Sequence, residues 1–523
     1  MVMLDRNSRL VLATVAVVLL FFARPWPGES DRSLEQTASL AVDGSLAIDQ
    51  VLVRTGKLDP ARAVDGVFPF PASGLGMAGL DRDRAWRAGH YYPGTAPGMT
   101  FVLLPGYVAY HAIRDAIART TGFTWADDDA SVLVLWLTVL VMIPISVLTI
   151  VVVHTTHRAL LGDAGLARNV TLLYAFGTAF FYYGTVLNPW QAINAVTWVC
   201  IYRLAVRFET VTLVSAAVCG TLAGLASSLN YLGVCVIGIF GVWLAVRDRR
   251  RAAAMFVLGA SFGVLPTLIY HTIVFGHPLS TAYGHRIDAG AVEILRRGLL
   301  GFEALPSPWI ALKLLVSPTT GFFVYMPVML VALWARPVES RRALYYLGLG
   351  GGVLFLLFNA ARHHDWWGGE GFFGPRYLIP ALPFVWLLVL EGFRRAGIRT
   401  FSALAFLSLF INWVGAQYGD KWLHLALGQF VVRGPHFPVL DFVRAILDNY
   451  TTRRPPMSAM GLMMALGVCL VLLWWRDKPH IFRRNTPPST TQRHSLLPSL
   501  SMRRCVGETA PSASASSAPT VQR

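Results

Sequence analysis

The chain reads as an all-α polytopic membrane protein, with about twelve transmembrane helices and a large first external loop containing interfacial helices. Three observations give that reading. Hydrophobic residues make up 54% of the chain and charged residues only 14%, and the mean hydropathy is +0.51, values outside those of soluble globular domains. Apolar runs of near-spanning length recur along most of the sequence. The arginines fall mainly in short segments between those runs.

The first run occupies 9–23, behind Arg6 and Arg9. It resembles a signal peptide in charge order. Phe21-Phe22-Ala23-Arg24-Pro25-Trp26 offers no small-x-small cleavage pattern, so an uncleaved first span is expected. Further runs lie at 130–153, 168–187, 190–206, 210–229, 231–246, 252–275, 321–335, 343–361, 376–391, 400–416 and 458–475, each near the ~20 residues a crossing helix needs. Residues 1–484 form the membrane domain in this reading. Residues 485–523, rich in Ser, Thr, Pro and Ala, are expected to be a disordered cytoplasmic tail.

Charge sets the expected orientation. With both termini cytoplasmic, the loops holding Arg158 and Arg168, Arg203 and Arg207, Arg247 to Arg251, Arg336 to Arg342, Arg394 to Arg399, and Arg476 with Lys478 all face the cytoplasm. The turns at Asn188-Pro189 and Asn230 carry no Lys or Arg. A crossing by the run Met99–Ile113 would invert every later loop, so that run is expected to lie in the outer interface. The first external loop then covers about 24–129, and two more long external segments cover about 276–320 and 417–457.

The +16 net charge is therefore a topology signal, and nucleic acid is set aside as a partner. Cys200, Cys219, Cys235 and Cys469 fall inside apolar runs and Cys505 in the polar tail. Neither a disulfide framework nor a zinc spacing is present.

The densest chemistry lies in His363-His364-Asp365-Trp366-Trp367-Gly368-Gly369-Glu370-Gly371-Phe372-Phe373-Gly374-Pro375-Arg376-Tyr377. Spanning a bilayer needs no such cluster. Its glycines permit close backbone approach, its aromatics offer stacking faces, and an arginine fork suits phosphate. The plainer reading is an interfacial turn with an aromatic belt. Behind the first span, Asp31 and Glu35 are spaced i, i+4, and Ser30 is placed to cap a helix starting at Asp31. A poorly solvated carboxylate there suits a general base, and solvated acids at a helix start are the alternative. His90-Tyr91-Tyr92-Pro93-Gly94 forms a shaped loop in which Tyr91 and Tyr92 either contact a ligand or anchor at headgroup depth.

Taken in order, these motifs resemble a known family. An acid just after the first span, Tyr91-Tyr92 before Pro97-Gly98, Ser317-Pro318-x-x-Gly321-Phe322-Phe323, and Asp365-Trp366-Trp367-Gly368-Gly369 leading to Phe373-Gly374-Pro375-Arg376-Tyr377 together resemble the C-superfamily integral-membrane glycosyltransferases. Dolichyl-phosphate-mannose protein mannosyltransferases and lipid A aminoarabinose transferases belong to that group. The likeness runs over about 9–475, and its most specific part is the block ending at Tyr377. It implies an inverting transfer from a polyprenyl-phosphate sugar donor to a hydroxyl of a lipid, glycan or protein acceptor, at the external face of the cytoplasmic membrane.

In that resemblance Asp31 corresponds to the base, with Glu35 as the neighbouring catalytic candidate. The substrate-binding candidates are Tyr91, Tyr92, His363, His364, Asp365, Trp366, Trp367, Arg376 and Tyr377. The family's acidic pair is Asp31-Arg32 here, and a second acid is replaced by Asn188. No cofactor is therefore assigned, and a divalent metal stays open. Rival readings are a transporter or flippase and a receptor or assembly scaffold. Ionisable residues crowded between the runs favour the enzyme.

Overall fold

A computed structural model describes the protein over residues 5–63, 83–122, 130–287, 305–362, 372–419, 422–440, 442–443 and 459–475. The chain divides into a large unit, Met1–Leu473, and a second, Trp474–Arg523. The expected tail at 485–523 lies outside the described residues.

Helices dominate. In chain order the main ones are α1 (Arg6–Phe21), α2 (Asp31–Val42), α3 (Asp49–Arg54), α4 (Gly98–Thr121), α5 (Ala130–Leu161), α6 (Ala164–Phe176), α7 (Trp190–Cys200), α8 (Leu213–Leu229), α9 (Val234–Val246), α10 (Arg250–Phe275), α11 (Pro308–Val316), α12 (Arg342–Ala360), α13 (Leu382–Gly392), α14 (Ile398–Tyr418), α15 (Leu423–Arg433) and α16 (Ala459–Trp475). A short antiparallel hairpin, β1 (Arg84–Arg87) and β2 (His90–Pro93), pairs Ala85 with Tyr92 and Trp86 with Tyr91.

The expectation of about twelve spans meets a smaller set of helices of full spanning length. Among the described residues, four helices are long and apolar enough to cross a membrane: Ala130–Leu161, Arg250–Phe275, Glu339–Ala360 and Ile398–Tyr418. Leu213–Leu229, Tyr231–Val246 and Ala459–Trp474 are apolar but shorter. Proline and glycine cut three of the remaining runs. The run at 168–187 stops as a helix at Phe176 before Gly177 and resumes for one turn at Phe180–Tyr183. The run at 321–335 becomes a turn of helix, Phe322–Tyr325, and then a 3₁₀ segment opening at Pro327. The run at 376–391 opens as a 3₁₀ segment, Arg376–Ala381, with Pro380 inside it.

Within α5 the run is continuous despite Pro144. A π-turn over Thr138–Met142 precedes the proline, and its wider ring takes up the register change. Val11, Val15 and Leu19 of α1 enter one core with Ile150 and Val153 of α5, Tyr174 of α6 and Trp198 of α7. Helices α8 and α10 approach closely. Gly220 and Gly224 face the backbone of Phe256 and Ala260, while Gly259 and Gly263 face that of Ala217 and Thr221. Both helices thus present a Gly-x-x-x-Gly stripe, and a side chain at any of the four positions would meet main chain.

Polar contacts sort the connections into two ends. At one, Arg158 pairs with Asp5 at 2.6 Å, Arg168 donates to Asn7 at 3.4 Å, and Arg341 reaches both Glu391 and the Leu160 carbonyl. Arg395 donates to the Arg336 carbonyl at 3.2 Å. The segment before α1, the α5–α6 connection and the segments at Arg336–Arg341 and Glu391–Arg395 thus meet at the same end. At the other, Arg24 N–H donates to the Thr185 carbonyl at 2.9 Å, Gln36 to the Tyr270 hydroxyl at 2.8 Å, and Gly98 abuts Ser228.

Helix α4, which contains the expected interfacial run, belongs to this second end. Met99 and Leu103 pack on Val134, Leu137, Met142 and Leu187, and the Trp136 indole donates to the Gly106 carbonyl at 3.1 Å. Thr138 of α5 sits level with Arg24, whose carbonyl it reaches at 3.3 Å. From Thr138 to Arg158 is about 30 Å of helix. The packing of α4 is therefore confined to the end of α5 farthest from Arg158, and Phe101 and Val108 stay exposed on its outer face.

Candidate functional site

The segment after α1 assembles the site end. Arg24 is buried, and its guanidinium donates to the Gly415 and Ala416 carbonyls at 3.1 and 2.9 Å while lying over the Tyr182 ring at 5.1 Å. It thus satisfies carbonyls in the last turn of α14, where the helix dipole favours a cation. Gly28 adopts φ +57, and a side chain there would strike Val186 and the Leu187 carbonyl. These two contacts set the start of α2 against the Val186–Asn188 turn.

Asp31 occupies the first turn of α2, pairs with Arg32, and keeps about a third of its side chain exposed. Ser30 does not cap the helix with its side chain, contrary to the expectation. Its hydroxyl is buried with no hydrogen-bond partner among the described residues. Asn188, at the position of the resemblance's second acid, closes its own turn. Its amide donates to the Tyr183 and Val186 carbonyls at 2.6 and 2.7 Å, and its oxygen accepts from the Gln191 N–H at 3.1 Å. Among the described residues no three His, Cys, Asp or Glu side chains group as metal ligands.

Glu35, one turn beyond Asp31, has a different environment. Arg84 grips it with Nη2 at 2.5 Å and Nε at 3.2 Å, and Lys57 adds a third contact at 2.9 Å. Burial pushes the Glu35 carboxyl up, but Arg84 and then Lys57 outweigh it, and its pKa lies below the ordinary glutamate value. This carboxylate ties α2 to β1, with both oxygens occupied.

The Phe372–Tyr377 stretch forms a cationic platform. The Arg376 guanidinium lies over Phe372 at 4.7 Å and Tyr377 at 4.9 Å and donates to the Tyr377 hydroxyl at 3.1 Å. Arg362 covers the Tyr377 ring at 4.0 Å, and Trp190 meets the same ring edge-on at 6.3 Å. Asn359 donates to the Tyr377 carbonyl at 3.1 Å. Trp26 stacks on Phe372 at 5.6 Å, so the segment leading into Asp31 touches the platform directly. His363, His364, Asp365, Trp366 and Trp367 lie outside the described residues.

The tyrosine pair divides, as strand alternation requires. Tyr91 is fully buried among Ile48, Leu52 and Leu58, with its N–H held by Asp49 at 2.8 Å, and reaches no open surface. Tyr92 faces the other way, into a cleft of about 510 Å³ shared with Asp49, Gln50, His90 and Ile273. Asp49 bonds the His90 Nδ1 at 2.7 Å, and burial raises the Asp49 pKa against the pull of Tyr91 N–H and His90. The cleft borders the far end of α2, about 16 Å along the helix from Asp31. Tyr92 packs beside Tyr270, whose hydroxyl accepts from Gln36 of α2.

Arg362, Trp26 and Trp190 join the site without having been picked out from the sequence. Arg362 adjoined a noticed motif, but the tryptophans sit on other segments and carry no local signal. No protein-family model matches this chain, and comparison with curated proteins gives no match.

Proposed function

We propose that the chain transfers a sugar from a polyprenyl-phosphate donor to an acceptor hydroxyl, with inversion at the anomeric carbon, at the site end of a membrane-embedded helical bundle. The observation that carries this reading is the contact of two guanidiniums, Arg362 and Arg376, around Tyr377 with the segment that presents Asp31, through the Trp26–Phe372 stack. An anion platform beside a partly exposed carboxylate suits a displacement in which phosphate leaves as a hydroxyl is deprotonated.

In the step, Asp31 takes the acceptor proton while the acceptor oxygen bonds the anomeric carbon. The bond from that carbon to the phosphate oxygen breaks, and its electron pair leaves with the polyprenyl phosphate. Arg32 holds Oδ2 of Asp31, which leaves Oδ1 to receive the proton. Arg376 and Arg362 would carry the charge developing on the leaving phosphate. One preorganised donor of this kind contributes on the order of 3 kcal/mol.

The deciding experiment supplies the purified protein in lipid with polyprenyl-phosphate mannose or polyprenyl-phosphate aminoarabinose, together with lipid, glycan or peptide hydroxyl acceptors, and follows release of polyprenyl phosphate. Release that depends on Asp31 is expected. Movement of intact donor between leaflets without release would establish a flippase instead.

A further inference from the structure

At the opposite, arginine-rich end lies a cleft of about 310 Å³ lined by Leu161, Val338, Arg341, Leu390, Glu391, Phe393, Arg394 and Arg395, with Ser340 at its edge. Its size is at the lower end for ligand sites. It sits beside the starts of two helices long and apolar enough to cross a membrane, Glu339–Ala360 and Ile398–Tyr418, and so falls at headgroup depth. Three guanidiniums face one carboxylate in the lining, an excess of two positive charges.

The arginines are not equivalent. Arg341 is committed to the fold, bonded to Glu391 at 3.3 Å and to the Leu160 carbonyl. Glu391 is nearly buried, with 10% of its side chain exposed, so its charge is largely spent on Arg341. Arg394 and Arg395 are exposed. Arg394 lies over the Phe393 ring at 5.6 Å, and Arg395 donates one Nη1 contact to the Arg336 carbonyl at 3.2 Å. Each fork retains further N–H groups for an acceptor. Leu161, Val338, Leu390 and Phe393 supply apolar walls. A basic cleft with apolar walls between membrane helices is the arrangement that holds an anionic lipid headgroup, with phosphate on the arginines and acyl chains along the walls.

We propose that this cleft is a binding site for an anionic phospholipid, with Arg394 and Arg395 as the phosphate contacts. The site is remote from Asp31 and does not depend on the reading of that residue. The test compares wild type, Arg394→Gln/Arg395→Gln and the charge-matched control Arg119→Gln/Arg433→Gln, all in neutral detergent. Each is titrated with cardiolipin, phosphatidylcholine or inorganic phosphate. Bound lipid is counted by native mass spectrometry, and the thermal midpoint is followed in parallel.

Wild type and control should retain cardiolipin over phosphatidylcholine. The cleft variant should bind cardiolipin about 25-fold more weakly, at roughly a factor of five per arginine, with its lipid-free midpoint unchanged. Equal cardiolipin binding by the cleft variant and wild type would overturn the proposal. So would equal retention of phosphatidylcholine, and so would a midpoint shift with inorganic phosphate matching that with cardiolipin.

Discussion

Glu35→Gln separates structural from chemical roles at the start of α2. The substitution keeps shape and removes the charge that Arg84 faces. The Arg84 side chain is 1% exposed and that of Glu35 7%, so the guanidinium would lose its charged partner Glu35 away from water. Removing one partner of a buried pair costs about 3–5 kcal/mol. Lys57, a third exposed, adds little to that figure because solvent screens it.

The loss should appear as local opening, since Glu35–Arg84 is the clasp between α2 and the β-hairpin. Hydrogen exchange over residues 31–42 and 84–93 should accelerate by about 100-fold or more, while α14 is unaffected. The pair also gives that region an acid limit. The Glu35 pKa is depressed in the folded state, so its stabilisation is complete above the unfolded value near 4.5 and is lost as pH falls through the folded value. Unchanged exchange in Glu35→Gln at neutral pH would refute the clasp. Full local protection with lost turnover would make Glu35 a chemical residue instead.

Asp31→Asn should lower turnover by about 100-fold or more, with hydrogen exchange of α2 as in wild type. Arg376→Lys should weaken use of the phosphate donor at matched protein levels, because a point charge cannot replace the fork over Phe372 and Tyr377; wild-type kinetics would remove Arg376 from the phosphate site. Gly224→Val should sharply reduce the folded yield in membranes, since its side chain would enter the backbone of α10, and an unchanged thermal midpoint would contradict that packing. A cysteine at Ala61 should react with an impermeant thiol reagent from outside intact cells, whereas one at Ser340 should not, and the reverse pattern would invert the orientation.

Composition and periodicity carried the mostly helical, apolar character, though not the hairpin β1–β2, because burying a long apolar run with its backbone satisfied leaves the helix as the economical solution. They read through Gly177, Pro327 and Pro380, where the backbone interrupts a run, since hydropathy averages over breaks that backbone geometry does not. The Gly-x-x-x-Gly pairs at Gly220-Gly224 and Gly259-Gly263 were not singled out in the sequence. That they face each other is a property of two helices together. Likewise the i, i+4 spacing placed Asp31 and Glu35 on one helix, but spacing says nothing about partners: Arg84, 49 residues along the chain, claims Glu35, while the adjacent Arg32 takes Asp31. The meeting of Trp26 with Phe372, and of Arg362 with Tyr377, is decided by tertiary packing alone. Side chains distant in sequence become neighbours only when the buried Arg24 contact and the Gly28 turn fix where the chain leaves α1.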